Sequence, residues 1–251
     1  MSAPSLFASF VGAVRFFTRL RIPGAVGQDA VALERAIGFF PAAGLLVGGV
    51  AALAFVASAL VVPKTLAVAL AIAVAIVFTG AIHEDGWNDT VDGFGSSVDR
   101  AEILAIMRDS QVRAVGAAGL IALLVSRLLA LVEVDQALIP AALIAGHTVS
   151  RFCATAVFAK LDYVRAEGKA KPFARRVRDH ELALAALPAL IPLYFLPFWP
   201  VVFALVFAGG ATWWLARMFK RRIGGYTGDC IGATQQFAEL AFYGGLLCRF
   251  S

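Results

Sequence analysis

The sequence predicts an all-α, polytopic integral membrane protein of about seven transmembrane helices, preceded by an interfacial amphipathic helix. Three observations lead there. Of 251 residues, 60% are apolar and only 16% charged, with a mean hydropathy of +0.81. A soluble core of this size cannot absorb that much apolar surface. The apolar residues also fall in runs approaching the length of about 20 that a membrane-crossing helix needs. Finally, the basic residues gather in alternate connections between those runs, as cytoplasmic loops do.

Residues 5–20, SLFASFVGAVRFFTRL, read as a helix lying on the membrane surface, with Phe7, Phe10, Val14 and Phe17 on its apolar side. Arg15, Arg19 and Arg21 interrupt this stretch, so it lacks the pattern of a cleaved signal peptide. Apolar runs then predict spans near 37–62, 65–82, 114–132, 137–159, 182–197, 199–216 and 231–248. Pro197 and Pro200, flanking Trp199, mark a tight hairpin between the fifth and sixth. Gln235, Gln236 and Glu239 weaken the last span. Of 22 basic residues, only Lys64, Arg127, Arg151 and Arg249 lie outside the N-terminal segment and the loops 83–113, 160–181 and 217–230. That alternation places the N-terminus and those loops in the cytoplasm, at a bacterial inner membrane. The net charge of +5 is thereby a topology signal, and no nucleic-acid partner is expected. Cys153, Cys230 and Cys248 have no paired spacing and suggest neither a disulfide framework nor a zinc site. No repeat or linker divides the chain, which reads as one domain over residues 1–251.

The chemistry concentrates in HEDGWNDTVDGFGSSVD, residues 83–99. Asp85, Asp89 and Asp92 have i, i+4, i+7 spacing, which puts them within about 60° of one another on a helix. Asp99 would extend the stripe, although Gly93 and Gly95 weaken the helix between, and Glu84 points about 100° away. Three carboxylates on one face repel one another unless a cation neutralises them. All-oxygen ligands favour Mg²⁺, Mn²⁺ or Ca²⁺ over zinc, and Mg²⁺ commonly joins protein carboxylates to substrate phosphates. The plain alternative is a solvated acidic loop, which has no reason to keep a helical register. For His83, a hydrogen-bonding interfacial role outweighs a catalytic one.

Further polar groups face the same compartment. MRDS (107–110) supplies Arg108, Asp109 and Ser110, and the loop 163–180 supplies Tyr163, Arg165, Lys169, Lys171, Arg175 and Arg176. A diphosphate site needs cations beyond the metal, whereas the topology signal and attraction to anionic lipid account for about half of these residues. Within the fourth span His147 and Arg151 lie one turn apart beside Ser150, as part of a polar cavity or a structural ion pair. GGYTGDCIGA (224–233) delivers Thr227 and Asp229 to the start of the last span.

Taken together, these segments resemble the adenosylcobinamide-GDP ribazoletransferase family, also called cobalamin synthases. HEDGWNDTVDG (83–93) is similar to that family's H-x-D-G-x-x-D-x-x-D-G signature, and IMRDS (106–110) follows at the family's distance. FFTRLRIP (16–23), GFFPAAGLLVG (38–48), GHTVSR (146–151), the Y-x-R-x-x-G-x-x-K stretch (163–171) and GGYTGDCIGA carry the likeness over nearly the whole chain. One departure is DSQVRAVG (109–116), in which Arg113 stands where the family usually has glycine, while Gly116 is retained. The resemblance implies a Mg²⁺-dependent reaction that joins adenosylcobinamide-GDP to α-ribazole or its 5′-phosphate and releases GMP. On that basis Asp85, Asp89 and Asp92 are expected to hold the metal, one of them doubling as base. Asp109 and Asp229 are candidates for a second metal position or for orienting the nucleophile. Arg108, Ser110, His147, Arg151, Arg165, Lys171 and Thr227 are candidates for holding substrate.

Two other classes remain to be weighed. A CDP-alcohol phosphotransferase would use clustered Asp residues on a nucleotide diphosphate, but its D-G-x-x-A-R element is absent from DGWNDT. A proton or ion transporter would spread polar residues through the bilayer, whereas most of them here cluster at one face.

Overall fold

A computed structural model describes residues 6–109, 111–168, 171–173 and 177–248. Ser110, and Lys169, Arg175, Arg176 and Arg249 of the charge pattern, lie outside the described residues. Among these residues the chain is all-α, and its one extended pairing is an isolated bridge between Tyr163 and Tyr226.

Helix α1 (Leu6–Phe17) stops short of the expected end, packs against α2 (Ala30–Ala36) and α3 (Phe40–Ala59), and buries Val14 and Phe17 while Phe7 stays exposed. Asp29 caps α2 by accepting the Ala32 N–H at 2.8 Å. Each of the seven apolar runs is helical: α3, α4 (Lys64–Thr79), α7 (Ala114–Glu133), α8 (Ile139–Lys160), α9 (Asp179–Leu193), α10 (Phe198–Ile223) and α11 (Gly228–Leu246). Length and composition support four or five crossings rather than seven. Ala30–Ala59, α7, α8 and α10 qualify outright, and α4 qualifies only when joined to α5 (Ile82–Ser96). The reasons are local. Helix α4 has only 16 residues, α9 has 15 with Pro188 and Pro192 inside it, and α11 carries Gln235, Gln236 and Glu239.

The acidic segment is an unbroken helix through Gly93 and Gly95. It meets α4 at 91°, a turn made by two successive left-handed residues, Gly80 (φ 72°) and Ala81 (φ 58°). After the turn α5 lies across the N-terminal ends of α7 and α11: Asp92 reaches Gly116 N–H at 2.6 Å, and Gly86 abuts Asp229 and Gly232. A Cβ on Gly86 would sit 2.9 Å from Asp229 O, and one on Gly232 would sit 3.2 Å from Gly86 Cα, so the two helices can cross this closely only without side chains there. Asp99 does not extend the carboxylate stripe. It caps the short helix α6 (Arg100–Ile106), accepting Glu102 N–H at 3.0 Å.

Helix α11 is the centre of the bundle, packed against α10, α5, α8 and α7. Two apolar clusters divide the interior: one takes Cys230, Ile231 and Ala233 of α11, the other Ala238, Phe242 and Tyr243. Between them lies a buried polar layer. Glu239 is 3.7 Å from Arg127 Nε of α7 and 3.0 Å from His147 Nδ1 of α8, and accepts from Gln235 Nε2 (2.7 Å) and Tyr243 OH (3.2 Å). Arg127 also pairs with Glu84 of α5 at 3.9 Å and donates to Gln236 Oε1, while Gln236 Nε2 donates to Glu84 at 2.9 Å. Arg151 donates to His147 O at 3.0 Å and lies over the Phe17 ring at 5.2 Å. Two arginines thus balance two glutamates, the arrangement that makes interior charge tolerable.

Two outcomes follow for stability. Ala81→Val should lower the thermal midpoint in detergent by the equivalent of roughly 1–2 kcal/mol, because a β-branched residue resists φ > 0, whereas Ala81→Gly should not. Equal midpoints for both variants would refute the strained turn. Glu239→Leu should cost about 3–5 kcal/mol by leaving a buried charge unpaired. Adding Arg151→Leu should recover part of that loss, because Arg127 and Glu84 then remain as a matched pair, and a double variant worse than the single would contradict the charge-balance account.

Candidate active site

Because Glu84 faces inward to the polar layer, its neighbour Asp85 and Asp89 one turn later face out of the bundle, into a cavity of about 340 Å³. The cavity is walled by α1 (Phe16, Phe17), α5 (Ile82, His83, Asp85, Asp89), the end of α6 (Met107, Arg108, Asp109), Phe158 of α8, the loop with Tyr163 and Arg165, and the start of α11 (Gly228, Asp229). Four carboxylates and two guanidinium groups therefore share one space. Asp229 is delivered by the cap of α11, where Thr227 Oγ1 accepts Cys230 N–H at 3.3 Å and donates to Asp229 Oδ2 at 3.4 Å. Arg165 Nη2 lies 2.8 Å from the same Asp229 oxygen.

The electrostatics suit a cation. Burial pushes the Asp89 carboxyl up to about 6, and the Asp85 and Asp229 carboxylates push it the same way, against the hydrogen bond from Asn88. The donor chemistry, oxygens only, fits a hard divalent ion. Coordination is not closed, however. Among the described residues no group of three His, Cys, Asp or Glu side chains is gathered so that it could hold an ion as it stands.

The structure separates the expected metal trio. Asp85 and Asp89 line the cavity, but Asp92 is 2% exposed and caps α7, accepting the N–H groups of Gly116 (2.6 Å) and Arg113 (3.1 Å). Gly116 is needed for that cap, since a Cβ there would lie 2.4 Å from Asp92 Oδ2. Arg113 occupies the cap position in an extended conformation that any residue can adopt, and its guanidinium pairs with Asp109 at 3.2 Å. Of the expected substrate contacts, Arg108 and Arg165 line the cavity. His147 and Arg151 belong to the interior polar layer, with Phe17 between Arg151 and the His83 ring (5.2 and 5.1 Å). Lys171 lies over the Tyr163 ring at 5.9 Å and does not line the cavity. Thr227 acts through Asp229.

His83 was expected as a hydrogen-bonding interfacial residue. It lines the cavity stacked on Phe17, and its buried Nε2 has no hydrogen-bond partner among the described residues. Glu84, Arg127 and Glu239 were missed as a set. The signal was present as charges inside apolar runs, but nothing in a linear pattern pairs residues 155 positions apart.

Residues 9–247 match the family described as cobalamin-5-phosphate synthase. A Ralstonia pickettii protein named adenosylcobinamide-GDP ribazoletransferase is 42% identical, covering 95% of this chain and 94% of the relative. Proteins of the same name from Leptothrix cholodnii (40% identical; 95% and 94% covered) and Shewanella woodyi (37%; 93% and 93%) are also similar. No solved structure matches. With the family match running from α1 to the end of α11, and with His83, Asp85 and Asp89 of the acidic helix lining the cavity at the bundle's end, the chain belongs to the cobalamin-5-phosphate synthase family.

Proposed function

We propose that this membrane enzyme joins adenosylcobinamide-GDP to α-ribazole, or to α-ribazole 5′-phosphate, and releases GMP as the final step of cobalamin biosynthesis. The relatives' names and the family support the reaction. The observation that carries the reading at the level of residues is the convergence of Asp85, Asp89, Asp109 and Asp229 with Arg108 and Arg165 in one cavity.

Transfer between phosphate oxygens is achieved mainly by positioning and charge neutralisation. A hydroxyl of the ribazole attacks the phosphorus next to cobinamide, the bond from that phosphorus to the GMP oxygen breaks, and the hydroxyl proton passes to a cavity carboxylate. Mg²⁺, when bound, neutralises diphosphate oxygens. Asp85 and Asp89 would hold it from α5, with Asp229 on α11 in place of the inward-turned Asp92. Arg108 and Arg165 hold the remaining phosphate charge. Arg113 keeps the Asp109 carboxylate at the cavity edge. Phe16, Phe17 and Phe158 give the cavity an apolar wall suited to excluding water and receiving a flat aromatic base. The charge alternation supports a site on the cytoplasmic face of a bacterial inner membrane.

Purified protein in detergent should release GMP from adenosylcobinamide-GDP only with α-ribazole and a divalent cation present, and chelation should stop it. Asp89→Asn should lower turnover by roughly 10²-fold or more while the thermal midpoint stays put. Near-normal turnover in that variant, or release that survives full chelation, would discard the assignment of the metal to α5.

A further inference from the structure

The ion pair between Arg165 and Asp229 presents a conflict that the proposed reaction must resolve. Asp229 is the carboxylate that reaches the cavity from α11, and its Oδ2 is held by a guanidinium at 2.8 Å. The pair is largely shielded, with side-chain exposures of 13% and 21%. Arg165 is under-used: it meets Asp229 as an ion pair, and neither its buried Nε nor its Nη2 makes a geometrically formed hydrogen bond among the described residues. Its backbone cannot follow a ligand far, because Val164 N–H donates to Tyr226 O (3.0 Å) and Tyr226 N–H to Asp162 O (2.9 Å). Its side chain has somewhere to go. Arg165 borders both the carboxylate cavity and an adjoining groove that shares Arg108 and Asp109 with it.

We propose that Arg165 is an exchangeable internal cation, pairing with Asp229 in the substrate-free enzyme and moving to the diphosphate on substrate entry, which frees Asp229 to complete the metal's ligand set. The inference rests on the reading of the site given under Proposed function. A guanidinium and a divalent ion compete for one carboxylate, while a diphosphate attracts both. Metal and diphosphate then strengthen each other's binding, and by linkage the effect is reciprocal.

Mn²⁺ binding to purified protein in detergent, followed by electron paramagnetic resonance with and without GDP as the diphosphate probe, tests this. The Mn²⁺ held by GDP alone in solution is measured separately and subtracted. In the unaltered protein GDP should tighten Mn²⁺ binding about tenfold, a usual size for coupling between sites. In Arg165→Gln the substrate-free protein should already bind Mn²⁺ about tenfold more tightly, and GDP should add nothing. Arg165→Lys, which keeps the charge, should bind Mn²⁺ as weakly as the unaltered protein. So should Lys160→Gln, which removes an exposed charge paired to Asp179. Unchanged or weaker Mn²⁺ binding in Arg165→Gln, or the same gain in Arg165→Lys, overturns the proposal. Tighter substrate-free Mn²⁺ binding together with loss of coupling in Arg165→Gln upholds the exchange even if no GMP is released from the cobinamide substrate. GMP release with the coupling intact in Arg165→Gln discards the exchange and leaves the transferase assignment standing.

Discussion

The inward turn of Glu84 is the constraint on which the site depends. Arg127 holds Glu84 of α5 and Glu239 of α11 to one guanidinium, and Gln236 ties the same Glu84 back to α11. A buried charge tolerates little displacement, since losing its partner costs several kcal/mol. The roll of α5 about its axis is thereby fixed. Asp85 follows by one residue and Asp89 by one further turn, so a charge pair in the interior decides which carboxylates reach the cavity.

The second constraint is steric. At Gly86 and Gly232 the backbones of α5 and α11 come within the reach of a single methyl group. That closeness carries Asp229, three residues before Gly232, to the carboxylates of α5. Phe17 completes the arrangement from α1, with the Arg151 guanidinium over its ring and the His83 ring stacked on it. The N-terminal helix is thus a wall of the cavity as well as an amphipathic surface element.

Much of this was legible in the sequence, and the limits were physical. Apolar runs located every long helix, because burial in lipid leaves a compositional mark. The runs mark seven helices, of which four or five are long and apolar enough to cross by length and composition; the run 182–197 falls short because its helix has only 15 residues, with Pro188 and Pro192 inside it. The i, i+4, i+7 stripe located the acidic helix, yet shared azimuth does not mean shared task. Asp92 lies far enough along α5 to meet the start of α7, and the free N–H groups there claim it. Asp229, on another helix far along the chain, joins the cavity only through the helix crossing. His147 and Arg151 stand out as polar residues in an apolar run, whereas Glu239, the partner of His147, reads only as a blemish in another. Long-range pairing is what one linear pattern cannot supply.

Under the proposed function a divalent cation would sit where α5 crosses the start of α11, on Asp85, Asp89 and Asp229. A crystal structure of the protein soaked with Mn²⁺ and GDP, phased to show anomalous scattering, addresses it directly. The expected result is one strong peak within bonding distance of those three carboxylates and of a phosphate oxygen. A peak elsewhere in the protein, or an ion held without any of the three, would contradict the claim.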